Sequence, residues 1–368
     1  MNTAELLSLL ALHIKPDLSD ALAKKLIFHF GSAEQLIKTS NAELALLDWF
    51  PNRLLPNWNW SEQLTQAEEE LLRIERFKIQ VLTFTDKDYP WRLKQCLDGP
   101  LLLFYKGVNL WKHQRWISIV GTRRMTLYGQ QQCEEMVRDL LKFNPLIVSG
   151  LALGVDVTAH LMALECGLKT MACLAHGLDQ VHPKRHSKIA ERILEQGGLC
   201  SETWTNGDFH KMFYIRRNRI IAGLSEATIV VESAAKGGSL TTADMAFSYD
   251  RLVYAVPGRL SDIQSVGCNK LIEKQLAQVY SSADVLARDL GWDESSQSDQ
   301  LQLNLSIQEK LTVEEQKVFA ALSSTSSIHL EKLRRQLQGL EKQLPSLLLS
   351  LELKGWVKPM PGQMFRRI

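Results

Sequence analysis

LIVSGLALGVDVTAH, residues 146–160, opens as a short apolar run, breaks at Ser149-Gly150 and resumes after Gly154 with helical spacing. That pattern predicts a buried parallel strand, a small-residue turn and a helix N-terminus. Such a turn leaves backbone N–H groups at the positive end of a helix dipole. With no Cβ at Gly150 or Gly154, an anion can approach them, phosphate first of all. The plainer reading of one such motif is a tight connection whose glycines serve packing. Recurrence along the chain favours the anion site.

On both sides of this stretch, apolar runs alternate with helical patterns. Strands are expected at Trp116 to Val120, Leu146 to Ser149, Thr170 to Leu174, Ala227 to Val231 and Leu252 to Val256, with a shorter one at Leu199 to Ser201. Helices are expected near 126–142, 155–167, 188–197, 212–223, 240–249 and 267–274. Strands and helices joined by short connections predict an α/β fold, a doubly wound and mainly parallel sheet whose ligands lie outside the carboxyl ends of its strands. Small and polar residues gather there: GTRRMTLYG after Val120, SGLALGVD after Val148, AHGLDQVHPKRH after Leu174, ESAAKGGSLTTADMA after Val231 and PGRLSDIQSVGCNKLI after Val256. Thr241 or Thr242 is the expected cap of the helix that follows Gly237-Gly238-Ser239.

In MFYIRRNRIIAGLSEA, Arg216, Arg217 and Arg219 fall within four residues. Arginine forks phosphate bidentately and stacks on bases. Ile215, Ile220 and Ile221 mark an apolar side, which places the three arginines on one polar side near the sheet edge. The alternative is a solvated helix face.

With 368 residues, 45% of them hydrophobic, the chain can bury two or three domain cores. No run reaches the roughly 18 apolar residues of a membrane span, and MNTAELLSLLALHIK lacks a basic leader, so a cytoplasmic protein is expected. The six cysteines include no CxxC pair, which argues against a zinc site and a disulfide framework. His160, His176, His182 and His186 lack ligand spacing, so no metal and no cofactor is expected. A net charge of +2 confines any polyanion site to a local cluster.

Before the sheet, helical stripes run from Leu6 to Ile14 and from Leu18 to Phe30, with Ser32 and Ser40 as caps of further helices. They predict a small helical module, either a helix-hairpin-helix-like clamp or a lid. Few basic residues accompany Lys15, Lys24, Lys25 and Lys38, which favours the lid. Pro51, Pro56 and a tryptophan cluster mark a break before a charged helix from Ser61 to Phe77. Extended segments follow at Ile79 to Phe84 and Leu101 to Tyr105. At the other end, the polar stretch WDESSQSDQLQ precedes helices that begin at Thr312, Leu330 and Pro345, then a two-stranded wing with a Pro-Gly tip in WVKPMPGQMFRRI. The third helix, SLLLSLELK, offers few donors to base edges, so packing or a protein partner is expected rather than duplex reading.

GTRRMTLYG, SGLALGVDVTAH, RRNRIIAGLS, GGSLTTADMA, VPG and GCNKLI, in this order, resemble the DNA-processing protein A family (DprA, also called Smf). The resemblance implies an extended Rossmann-like core flanked by a small N-terminal helical domain and a C-terminal winged helix. The implied division is a SAM-like or helix-hairpin-helix-like domain over 1–77, a single-stranded-DNA-binding domain over 78–290, a linker over 291–305 and a winged helix over 306–368. It also implies a non-enzymatic homodimer that protects incoming DNA in natural transformation and helps load the RecA recombinase.

With the basic residues nearby, the implied DNA site comprises Gly121, Thr122, Arg123, Ser149, Gly150, Lys184, Arg185, Arg216, Arg217, Asn218, Arg219, Lys236, Gly237, Gly238 and Ser239. Arg123, Arg217, Arg219 and one of Lys184-Arg185 would neutralise about four phosphates. Leu153 and the shifted Pro183 depart from the family pattern, which bears on one DNA contact and on local pocket shape. Leu271, Ile272, Leu276 and Val279 are the expected apolar patch for dimerisation. The competing function is a Rossmann-like nucleotide phosphoribohydrolase. There GGSLTTAD replaces the enzyme's turn, Leu240 stands for a glycine, and Asp244 or Glu232 would be the acid.

Overall fold

The apolar runs of the middle chain come together as one sheet. The computed structural model describes residues 2–205, 207, 210–292, 311–323, 328–337, 339–360 and 364–367. The strands are β1 (Gln80–Thr83), β2 (Leu102–Gly107), β3 (Trp116–Val120), β4 (Leu146–Ser149), β5 (Thr170–Cys173), β6 (Gly198–Ser201), β7 (Ala227–Val230), β8 (Leu252–Ala255) and β9 (Gln278–Val279). Their order is β1, β2, β6, β5, β4, β3, β7, β8, β9. From β6 to β9 all neighbours pair in parallel, with Ile117 of β3 opposite Ile147 of β4 and Ala227 of β7. β1 and β2 extend the sheet antiparallel. Chain order reverses between β3 and β7, so a crevice at their carboxyl ends is where this topology puts a ligand.

Alternation along the strands sends side chains to two faces. Ile117, Ile119, Ile147 and Ile229 pack against α7 (Leu127–Leu140), α8 (Val155–Glu165) and α13 (Ala283–Asp289). Trp116, Val120, Leu146 and Val148 belong to the other core, which holds Ile220 and Ile221 of α10 (Lys211–Leu224) and Ala243 of α11 (Gly238–Ser248). α9 (Ser187–Gln196) and α12 (Val266–Glu273) complete the helical layers.

The N-terminal helices join that second core. α1 (Thr3–Ile14), α2 (Asp20–Phe30), α3 (Ala33–Lys38), α4 (Asn41–Ala45) and α5 (Ser61–Arg76) bury Leu9, Leu10, Leu12 and Leu26 in the same cluster as Leu102 to Tyr105 of β2. Ser32 and Ser40 cap α3 and α4, and Glu43 returns a bond to Ser40 to close a capping box. The turn α6 (Trp91–Lys94) links β1 to β2.

Two expectations need correction, and two elements were not foreseen. α11 starts at Gly238 with Gly237 at the N-cap and no side-chain cap, so Thr241 and Thr242 lie inside the helix. Leu271 is buried and Ile272 and Leu276 pack on the core; with only Val279 of the four exposed, no apolar patch forms there. β9 and α13 carry no clear pattern, since one has two residues and the other seven.

The chain divides into two compact units, Met1–Trp292 and Asp293–Ile368. In the second, α14 (Val313–Ala321), α15 (Leu330–Gln336) and α16 (Leu344–Leu353) enclose Val318, Leu333, Leu344, Leu348 and Leu351. β11 (Val357–Met360) and β12 (Met364–Arg367) form the wing, and β10 (Ile328–His329) adds an unforeseen third strand. The polar stretch from residue 293 and the Pro-Gly tip lie outside the described residues. Among those described, no helix is long and apolar enough to cross a membrane.

Candidate nucleic-acid interface

The turn after β4 is closed from within. Asp156, in the first turn of α8, is buried and accepts from the backbone N–H groups of Gly150 and Ala152. Burial pushes its carboxyl above the usual range, against the pull of the Arg217 guanidinium beside it. Arg217 is itself buried and donates through Nη1 to the carbonyls of Gly150 (2.7 Å) and Cys173, at the ends of β4 and β5. A Cβ at Gly150 would overlap that guanidinium, which is why the position requires glycine. Gly154 has φ +76°, and a Cβ there would strike the Thr122 carbonyl. Ser149 is buried and donates to the Ile119 carbonyl at 2.6 Å. The anion-binding turn expected from LIVSGLALGVDVTAH therefore holds the protein's own carboxylate.

A second turn stays open. At the junction of β3 and β7, the Thr122 N–H donates to the Glu232 carbonyl (2.7 Å), which fixes Gly121 and Thr122 at the crevice mouth. Across it, α11 begins without a side-chain cap, and a Cβ on Gly238 would meet nothing. Asn218 Nδ2 donates to the Gly238 carbonyl at 3.4 Å, and Ser239 Oγ to Ser233 Oγ at 3.0 Å. A cavity of about 610 Å³ lies here, lined by Gly121, Thr122, Arg123, Lys211, Tyr214, Arg217, Asn218, Gly237, Gly238 and Ser239, among others. The Arg123 guanidinium sits over the Tyr214 ring, 5.5 Å from its centroid. Arg123 and Lys211 are exposed. Lys211 and Tyr214 were not singled out in the sequence, although both lie in the KMFY run that opens α10.

The three arginines of α10 do not share one polar side. Arg217 points under the β4 turn, whereas Arg219 is buried against Asp20 of α2 and Glu202. Arg216, half-exposed, pairs with the same two carboxylates at 2.9 and 3.1 Å. Ile215, expected on the apolar side, is exposed. Arg216 and Arg219 thus line a different cavity, of about 1330 Å³, between the N-terminal helices and α10. Lys184, Arg185 and Lys236 are exposed and line neither cavity.

The remaining chemistry is structural. His160 Nδ1 donates to Thr170 Oγ1 at 2.6 Å, because that hydroxyl's proton goes to the Ile147 carbonyl. Burial, with Arg217 and His186 nearby, drives the His160 pKa down to about 3. His186 Nδ1 holds the Leu151 carbonyl at 2.8 Å, and His176 Nδ1 the Gly177 carbonyl at 2.9 Å. No group of acids, histidines and cysteines able to hold a metal occurs among the described residues. Asp244 is exposed on α11 outside the 610 Å³ cavity, and the Glu232 carboxylate accepts from the Thr126 N–H at 2.9 Å to close the start of α7. Among the described residues, the only acid lining that cavity is Asp156, so none of them gives the hydrolase alternative a free acid there.

Comparison with known proteins bears on the same core. A family model described as DNA recombination-mediator protein A matches residues 80–291, and one described as the DprA winged helix domain matches residues 306–363. DNA processing protein DprA of Streptococcus pneumoniae is 37% identical over 61% of this chain and 80% of its own. Protein Smf of Escherichia coli is 32% identical over 80% of this chain and 79% of its own. The solved structure of DprA from Streptococcus pneumoniae superposes with a TM-score of 0.66 at 30% identity, over 78% of this chain and 98% of that one. A structure of DNA processing protein A from Helicobacter pylori, described for its single-stranded DNA binding mode, gives 0.53 at 31% identity, over 58% and 96%.

Proposed function

We propose, from the premise that this chain belongs to the DprA/Smf family of DNA recombination-mediator proteins, that it binds single-stranded DNA at the β3–β7 crevice. The observation that carries the reading is the uncapped start of α11, which opens into a cavity beside exposed Arg123 and Lys211. N–H groups at an uncapped helix start and two exposed cations suit a phosphate, and the Tyr214 ring offers a base a face to stack on. Arg217 acts there by shaping the floor; Lys184, Arg185, Arg216, Arg219 and Lys236 would meet a strand only where it continues beyond this cavity. The division into domains near residues 77, 290 and 305 belongs to the same reading, as do a homodimer, a cytoplasmic setting and the loading of RecA onto the bound strand in natural transformation. The protein acts by holding the strand, without catalysis.

The test is fluorescence anisotropy with labelled single- and double-stranded DNA. Single strands are expected to bind well above duplex, and Arg123→Ala to weaken them about tenfold while flattening the salt dependence by about 0.7 of a log unit per log salt. Equal binding of duplex, or turnover of nucleotides that vanishes in Asp244→Asn, would overturn the reading.

A further inference from the structure

We propose that Asp20 competes with nucleic-acid phosphate for Arg216, so that the N-terminal helices restrain how tightly a single strand is held. The inference rests on the single-strand reading above. Arg216 keeps 43% of its side chain exposed and binds Asp20 through Nη2 and Glu202 through Nε. His210, the N-cap of α10, lines both cavities, so the two open around the same helix start. A strand that leaves the smaller cavity past His210 reaches Arg216 next. Carboxylate and phosphate present the same pair of acceptors to a guanidinium fork, so one can replace the other.

The partners differ in how freely they move. Arg219, 6% exposed, is enclosed by Asp20 and Glu202 and holds Glu202 in place. Asp20 is the first residue of α2 and also accepts from the Leu101 N–H at a long 3.3 Å. Burial pushes its carboxyl up, but its charged neighbours outweigh that and keep it ionised at neutral pH. Two arginines face two carboxylates, with His13 and Lys24 also beside Asp20; exchanging Asp20 for a neutral group adds one positive charge at the cavity mouth, with Glu202 still pairing Arg219.

The experiment compares the full-length protein with Asp20→Asn, both checked for folding by thermal melting, using labelled single strands long enough to leave the smaller cavity. Asp20→Asn is expected to bind about fivefold tighter at moderate salt, with a salt slope steeper by about 0.7. The gain should disappear in Asp20→Asn/Arg216→Gln. Asp48→Asn, which makes the same change in net charge at an exposed site of the N-terminal helices, should bind as the wild type does. Equal affinity and slope for wild type and Asp20→Asn would overturn this inference alone, as would a gain that survives without Arg216 or recurs with Asp48→Asn. Binding of single strands by neither protein would overturn the underlying reading as well. If neither Asp20→Asn nor Asp20→Ser folds, the contact is obligatory for the fold and the proposal falls.

Discussion

At the end of β4 the N–H groups of Gly150 and Ala152 meet Asp156, and Arg217 ties the carbonyls from behind. At the start of α11 no side chain among the described residues caps the corresponding groups, and Gly238 faces open space. Both are glycine turns at the carboxyl edge of one sheet, and both have the form that binds anions. Whether a turn is a site depends on whether the fold supplies its own anion. A buried carboxylate two residues into the following helix closes the first, while α11 carries no acid in its first turn.

The widest difference between the turns is expected from Arg217→Ala. It strips two carbonyls and leaves Asp156 buried without its counter-charge, which costs about 3–5 kcal/mol for a broken buried pair. Denaturant unfolding measures it. A folded Arg217→Ala protein with unchanged stability and weakened single-strand binding would break the comparison, because the arginine would then be a phosphate contact rather than a brace.

Much of this was legible in the residues. Apolar runs bounded by glycine located β3 to β8 within a residue or two, since a strand buried on both faces leaves a continuous apolar signal. The family blocks pointed to the crevice that holds Arg123, Asn218 and Gly238. The closure of the β4 turn had a signal that went unused: Asp156 stands in the first turn of its own helix, where the dipole favours a carboxylate. Helix arithmetic also separates Arg217 from Arg219 by about 200°, at about 100° per residue, which rules out one shared side. The pairing of Arg216 with Asp20 had no sequence signal, because the two lie 196 residues apart and meet only through the packing of α2 against the core.

A smaller effect comes from pH and sharpens the same contrast. His160 lies buried beside Arg217, and its pKa falls from an ordinary 6.5 to about 3. Between these values the unfolded chain holds a proton that the folded one does not. Stability therefore rises with pH across the window and is lost as pH drops below about 6.5, by up to about 1.4 kcal/mol per unit from this residue. Replacing it, as in His160→Gln, should flatten the dependence of unfolding free energy between pH 7 and 5 relative to wild type. Parallel slopes for the two proteins would show that the ring is protonated in the fold and that the β4 turn is less sealed than its geometry indicates.

The change that divides the turns most sharply is the same glycine-to-alanine substitution made in each, and its smallest effect falls at Gly238. At Gly150 a Cβ collides with a guanidinium that cannot swing away, since both its carbonyl partners are backbone; overpacking of this kind costs about 1–3 kcal/mol. At Gly238 the Cβ meets nothing, the backbone φ is one that any residue adopts, and the residue opens a helix of 11 residues. Alanine there lowers the entropy of the unfolded chain and should stabilise by about 0.5 kcal/mol. Binding should move the other way. A methyl group at the mouth of the cavity stands where a phosphate must approach the α11 N–H groups, so single-strand affinity should fall although the protein melts slightly higher. A Gly238→Ala protein that is more stable and binds as tightly as wild type would mean that no anion comes within reach of this helix start. The strand would then be held by Arg123 and Lys211 alone.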